Sequence, residues 1–189
     1  DVSWSLERLR DPASCERLIR ETNAFIARAY TPANTIARRS YVFEFTPIES
    51  FAFALHCPGG PETRHLPGFG DDEVPPALMA LSREVADRLS LKRGRVLWNV
   101  GRYVEGCGPI QPHFDGELFE YSVDPGISHH VASGVRPREV ALLTLRDETD
   151  RGGTRLHDAE DREIAPPIAV GDLLRFDNVL HRHSVPDPL

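Results

Sequence analysis

At 189 residues the chain can enclose one sizeable core but not two comfortable domains, and its 40% apolar and 27% charged residues are an ordinary globular profile. A formal net charge of -7 leaves no extended basic face for a phosphate backbone, which argues against nucleic acid as a partner. No run approaches the roughly 20 apolar residues of a membrane span, no signal-peptide pattern opens the chain, and Cys15, Cys57 and Cys107, an odd set without CxxC spacing, fit a reducing cytoplasm.

In chain order, the first predicted element is a helix from Asp11 to Tyr30. Asp11 suits the cap, Pro12 suits the first turn where its missing N–H is not needed, and Cys15, Leu18, Ile19, Phe25, Ile26 and Ala29 form one apolar stripe. Residues 40–46 and 51–57 read as aromatic-rich strands, and Pro58 to Asp72, dense in Gly and Pro, reads as a loop. A second helix is expected from Pro75 to Leu89, with Leu78, Leu81, Val85 and Leu89 on one face. Beyond residue 93, short apolar runs alternate with turn signals: Arg95–Tyr103, Glu139–Leu145, Thr154–Leu156, Pro167–Val170 and Asp172–Phe176. That spacing suggests a β-sandwich or barrel, with the two helices packed against it. The long polar stretch between His113 and Arg138 is expected to be a lid or an exposed loop; His129, His130, Glu117 and Glu120 are read there as ordinary solvated side chains.

The chemistry concentrates where a Gly-rich turn delivers His113 and Asp115 with one residue between them. In an extended segment, residues two apart point to the same face, so an imidazole and a carboxylate can converge on one metal ion. A third ligand must come from a distant strand, and Leu180-His181-Arg182-His183-Ser184-Val185-Pro186 offers two histidines. Two His and one carboxylate on one side of an octahedron leave three positions open, an arrangement suited to O2-activating Fe(II). A His-x-Asp pair alone is also what a surface turn produces by chance. Gly152-Gly153 is read as a turn, since no helix N-terminus follows to hold a phosphate.

Four features in order carry a resemblance: Arg102-Tyr103 with a Gly-containing turn and His113-Phe114-Asp115; Ala141 to Leu145 leading to Gly152-Gly153-Thr154; Pro167 to Asn178; and His183-Ser184-Val185-Pro186. Over residues 95–186 the chain resembles the 2-oxoglutarate/Fe(II)-dependent dioxygenase superfamily, in its prolyl-hydroxylase-like branch. The resemblance implies an α+β, mainly β fold: a double-stranded β-helix (jelly-roll, cupin-like) with N-terminal helices packed on the sandwich. It implies a single oxygenase domain over 1–189, in which 1–92 is a helical and strand support and 93–189 the metal-binding core.

It further implies Fe(II) held by His113, Asp115 and His183, with 2-oxoglutarate as co-substrate. His183 matches the family's His-x-Val pattern; His181, in a Leu-His-Arg triplet, is the alternative. Tyr103 matches a tyrosine that touches 2-oxoglutarate, the alternative being a core tyrosine with a satisfied hydroxyl. The family's basic residue for the far carboxylate of 2-oxoglutarate would fall past Leu189; the chain reads as trimmed at both ends, and Arg175 and Arg182 are the nearest substitutes. Related halogenases lack the carboxylate, so Asp115 favours hydroxylation. The expected function is hydroxylation of an unactivated C–H of a small molecule, an amino acid or a biosynthetic intermediate. The alternatives are a cupin-like metalloenzyme that does not use 2-oxoglutarate and a non-catalytic metal-binding sandwich. The oligomeric state is left open.

Overall fold

The computed structural model describes residues 3–29, 36–37, 51–56, 63–69, 72–90, 98–103, 108–115, 120–124, 127–130, 139–146 and 153–186. The expected strand at 40–46 lies outside these residues. Among the described residues the fold is mostly β with two helices, and the chain divides into two compact units: Asp1–Pro12 with Gly108–Leu189, and Ala13–Cys107.

In the second unit, α1 (Pro12–Ala29) and α2 (Pro76–Arg88) match the expected helices to within a residue or two. Each opens on a proline, whose missing N–H costs nothing in a first turn, and each has an arginine in its last turn, where a cation complements the helix dipole. Their buried faces are Cys15, Leu18, Thr22, Phe25 and Ile26 on α1, and Leu78, Leu81, Ser82 and Val85 on α2. The unit's sheet has the order β2 (Ile36–Ala37), β4 (Thr63–Phe69), β3 (Phe51–His56), β5 (Trp98–Tyr103), with β3 and β5 parallel. Phe25 of α1 packs on Phe53 and Phe69 at centroid distances of 5.2 and 5.1 Å, which fastens the helix to this sheet.

Strand β4 corrects the expected loop over 58–72. Pairing runs Phe51 to Phe69 and Phe53 to Leu66, so Pro67 and Gly68 stand opposite a single residue of β3. They form a bulge, which tolerates a residue without an N–H, and the strand continues through them.

The first unit contains two antiparallel sheets. One has the order β1 (Trp4–Arg8), β12 (Asp172–Asp177), β9 (Glu139–Leu143), and the other β11 (Glu163–Ile164), β10 (Arg155–His157), β13 (Arg182–Val185), β6 (Ile110–His113). Alternation decides which side chains each sheet turns inward. Val140, Leu174 and Phe176 from the first sheet and Leu156 from the second meet in one buried cluster with Ile168, flanked by Trp4, Leu6, Leu142 and Ile164. Burying each of these larger side chains contributes about 1.5–3 kcal/mol. A two-stranded ladder, β7 (Glu120–Asp124) with β8 (Ile127–His130), occupies part of the long polar stretch, with Glu120 opposite His130 and Tyr121 opposite His129.

One expectation changes here. Pro167–Val170 is not a strand: Asp172 takes the N–H of Ala169 on its carboxylate, and Ile168 plugs the core from a loop. The edge strand β1, not expected from the sequence, pairs with β12 from Trp4 opposite Phe176 to Arg8 opposite Asp172 and turns Trp4 and Leu6 to the core.

Candidate metal centre

The site is built where β6 meets β13. His113 is the last residue of β6, and its cross-strand partner on β13 is His183, so the two imidazoles share one face with ring centroids 4.3 Å apart. Just before it the ladder is irregular. His183 pairs with His113 but Val185 pairs with Ile110, which leaves an extra residue at Gln111-Pro112. Pro112 has no N–H for the ladder, and a bulge there re-aims the strand end. Asp115 follows two residues later, with Oδ1 3.7 Å from His113 Nε2 and 3.8 Å from His183 Nε2.

Among the described residues, the ligand atoms of His113, Asp115 and His183 all lie within 4.8 Å of one another. Donors bound at about 2.1 Å to one ion stand roughly 3 Å apart when adjacent, so side-chain torsions alone can close the group.

The protonation states suit a cation. His113 donates its Nδ1–H to the carbonyl of Gln111 at 2.8 Å, so Nε2 is the ring nitrogen that can face a metal. Burial, and then the charges of His113 and His157, lower the pKa of His183 to about 3, so this ring is neutral across the ordinary pH range. Its Nδ1 is buried with no hydrogen-bond partner. Burial pushes the Asp115 carboxyl above its usual range, partly offset by His113. A half-buried carboxylate and a buried imidazole that both resist their charged forms are groups for which a metal ion is a fitting partner.

His181 is not part of this group. The turn after β12 runs through residue 180, with the N–H of His181 donated to the carbonyl of Asp177 at 3.0 Å, and β13 starts only at Arg182. His181 therefore does not share the extended face of His183. It is 5% exposed, and its Nε2 meets the hydroxyl of Ser3. Of the two histidines, His183 is the one whose ligand atom groups with those of His113 and Asp115.

Arg175 alternates with the core residues Leu174 and Phe176, so it lies on the opposite face of its sheet, where it pairs with Glu139 at 2.7 Å. Arg182 alternates with His183 and pairs with Asp161 at 2.6 Å. Tyr103 ends β5 in the other unit and is 42% exposed. Glu117 lies outside the described residues.

Two features escaped the sequence reading. Asn178, wholly buried, accepts the Asp115 N–H on Oδ1 at 3.0 Å and donates Nδ2–H to the Asp115 carbonyl at 2.9 Å. On the far face of the same sheet, His157 Nε2 lies 2.8 Å from Ser184 Oγ, and Asp161 Oδ1 lies 3.5 Å from His157 Nδ1. The order Ser, His, Asp is that of a hydrolase triad. However, β13 is an interior strand whose backbone N–H groups serve its ladders rather than an oxyanion, and Asp161 is held by Arg182. No spacing rule would have flagged either contact, because each joins residues from separate strands or turns.

Comparison of the chain with protein-family models, with curated proteins and with solved structures gives no match.

Proposed function

We propose that this chain is an Fe(II)- and 2-oxoglutarate-dependent oxygenase that hydroxylates an unactivated C–H of a small molecule, an amino acid or a biosynthetic intermediate. The observation that carries the reading is the meeting of His113, Asp115 and His183, two histidines and one carboxylate from distant parts of the chain, with their ligand atoms within 4.8 Å. The strand order supports it. β6, β10, β11 and β13 lie in one sheet while β9 and β12 lie in the other, so the chain crosses repeatedly between sheets, as a double-stranded β-helix does. His113, Asp115 and His183 would hold the iron, and Asp115 occupies the position a halide would need.

Ferrous iron bound there would supply the chemistry of O2 and keto-acid oxidation, yielding succinate, CO2 and a hydroxylated product. The protein's own contribution is geometric and electrostatic. The tautomer of His113 is set by Gln111, the ring of His183 is kept neutral by burial, and Phe176 packs beside that ring at a centroid distance of 5.3 Å.

The test is anaerobic addition of Fe(II) and 2-oxoglutarate. A weak charge-transfer band in the visible, absent in His113→Ala, together with succinate formation in air, is expected. A fully metal-loaded protein showing neither would refute the assignment. A second reading, a cupin-like metalloenzyme that does not use 2-oxoglutarate, is favoured by one observation: Arg175 and Arg182 both face away from the site and are ion-paired. Substrate turnover with bound metal and no succinate would select it.

A further inference from the structure

We infer that Asn178 is a positioning residue for the metal ligand Asp115, an inference that rests on reading His113, Asp115 and His183 as a metal site. Strand β6 ends at His113, so no ladder holds the backbone of Asp115. The side chain of Asn178 takes the ladder's place from 63 residues away, accepting the Asp115 N–H at 3.0 Å and donating to its carbonyl at 2.9 Å. With both backbone groups engaged, the direction in which Asp115 projects its carboxylate is set by the Asn178 amide.

Asn178 is itself held. It directly follows β12, in a turn where the Asp177 N–H is donated to the Ser3 carbonyl at 3.0 Å, and Asp177 Oδ1 accepts the Val179 N–H at 2.7 Å. The same turn leads into β13, which carries His183. Asn178 thus places the ligand that follows β6 in one rigid frame with the ligand on β13. Few side chains can do this: the amide offers one donor and one acceptor at the required separation, a carboxylate lacks the donor, and leucine of similar shape lacks both.

The probe is Co(II), titrated into the full-length chain and followed by its visible ligand-field absorption. Asn178→Ala is expected to weaken Co(II) binding about 10- to 100-fold, the usual cost of losing a group that orients a ligand. In an Asp115→Ala background the same change is expected to cost no further affinity, because the ligand it acts through is gone. Leu174→Ala, a core substitution, is expected to lower the melting temperature without lowering affinity. Wild-type affinity in Asn178→Ala overturns the inference, as does an undiminished loss in the Asp115→Ala background or an equal loss in Leu174→Ala. Should Asn178→Ala not fold, Asn178→Thr, similar in volume but unable to bridge both groups, is judged by the same outcomes. A wild-type chain that takes up no Co(II) is a different result, and it overturns the metal-site reading itself.

Discussion

His183 shows how a side chain fit for a metal is ill-suited to an empty core. It is 7% exposed, its Nδ1 has no partner, and burial drives its pKa to about 3. Replacing it with leucine removes an unsatisfied polar group, so His183→Leu is expected to raise the stability of the metal-free protein by about 1–3 kcal/mol while abolishing metal binding. Chemical denaturation paired with Co(II) titration measures both effects. The same residue sets a pH dependence. Between about pH 6.5 and about 3 the unfolded chain binds a proton on this histidine that the folded chain does not. Stability therefore falls as pH drops through that window, by up to about 1.4 kcal/mol per pH unit from this group. Asp115 acts in the opposite sense: its carboxyl is held above 3.8, so the stability it contributes is present at low pH and lost as pH rises through its folded value. The comparison of wild type with His183→Leu isolates the histidine, whose removal is expected to flatten the acid limb.

At the scale of elements, the N-terminal strand holds the turn that holds the site. Gly171 sits at φ +86°, and its carbonyl accepts the N–H groups of Leu9 and Arg10 at 2.8 and 3.0 Å. A Cβ built there would lie 2.0 Å from the backbone oxygen of Arg10, which cannot yield without moving the strand. Gly171→Ala is therefore expected to cost on the order of 3 kcal/mol, measurable by urea denaturation. Deleting residues 1–8 would remove Ser3 from both Asp177 and His181 and expose the edge of β12. The expected outcome is looser metal binding, through the Asn178 turn, and concentration-dependent self-association visible in light scattering. Loss of neither property would show that β1 is not a support of the site.

At the scale of the whole molecule, the proposed metal would couple folding to loading. His183 meets the segment of His113 and Asp115 only in the folded state, so a metal at 100 times its Kd is expected to stabilise the protein by about 2.7 kcal/mol. Thermal melts with and without Co(II) test this, and His113→Ala should abolish the shift. Among the described residues, no helix is long and apolar enough to cross a membrane.

What the amino-acid order determined by itself was local. The stripes at three- and four-residue steps, each opened by a proline, located both helices, because a helix closes its hydrogen bonds within its own segment. The His113-x-Asp115 spacing kept imidazole and carboxylate close along the chain, but Asp115 lies past the end of β6 and its backbone is held by Asn178. Tertiary structure decided everything that depends on which segments pair. It kept a strand going through Pro67-Gly68 where composition indicated a loop, since a bulge opposite β3 absorbs them. It selected His183 over His181, since the strand begins between them. It also recruited Asn178 and β1, which hydrogen-bond to partners more than sixty residues away. Pairings across such distances are set by the packing of the complete chain and leave no mark on the spacing of neighbouring residues.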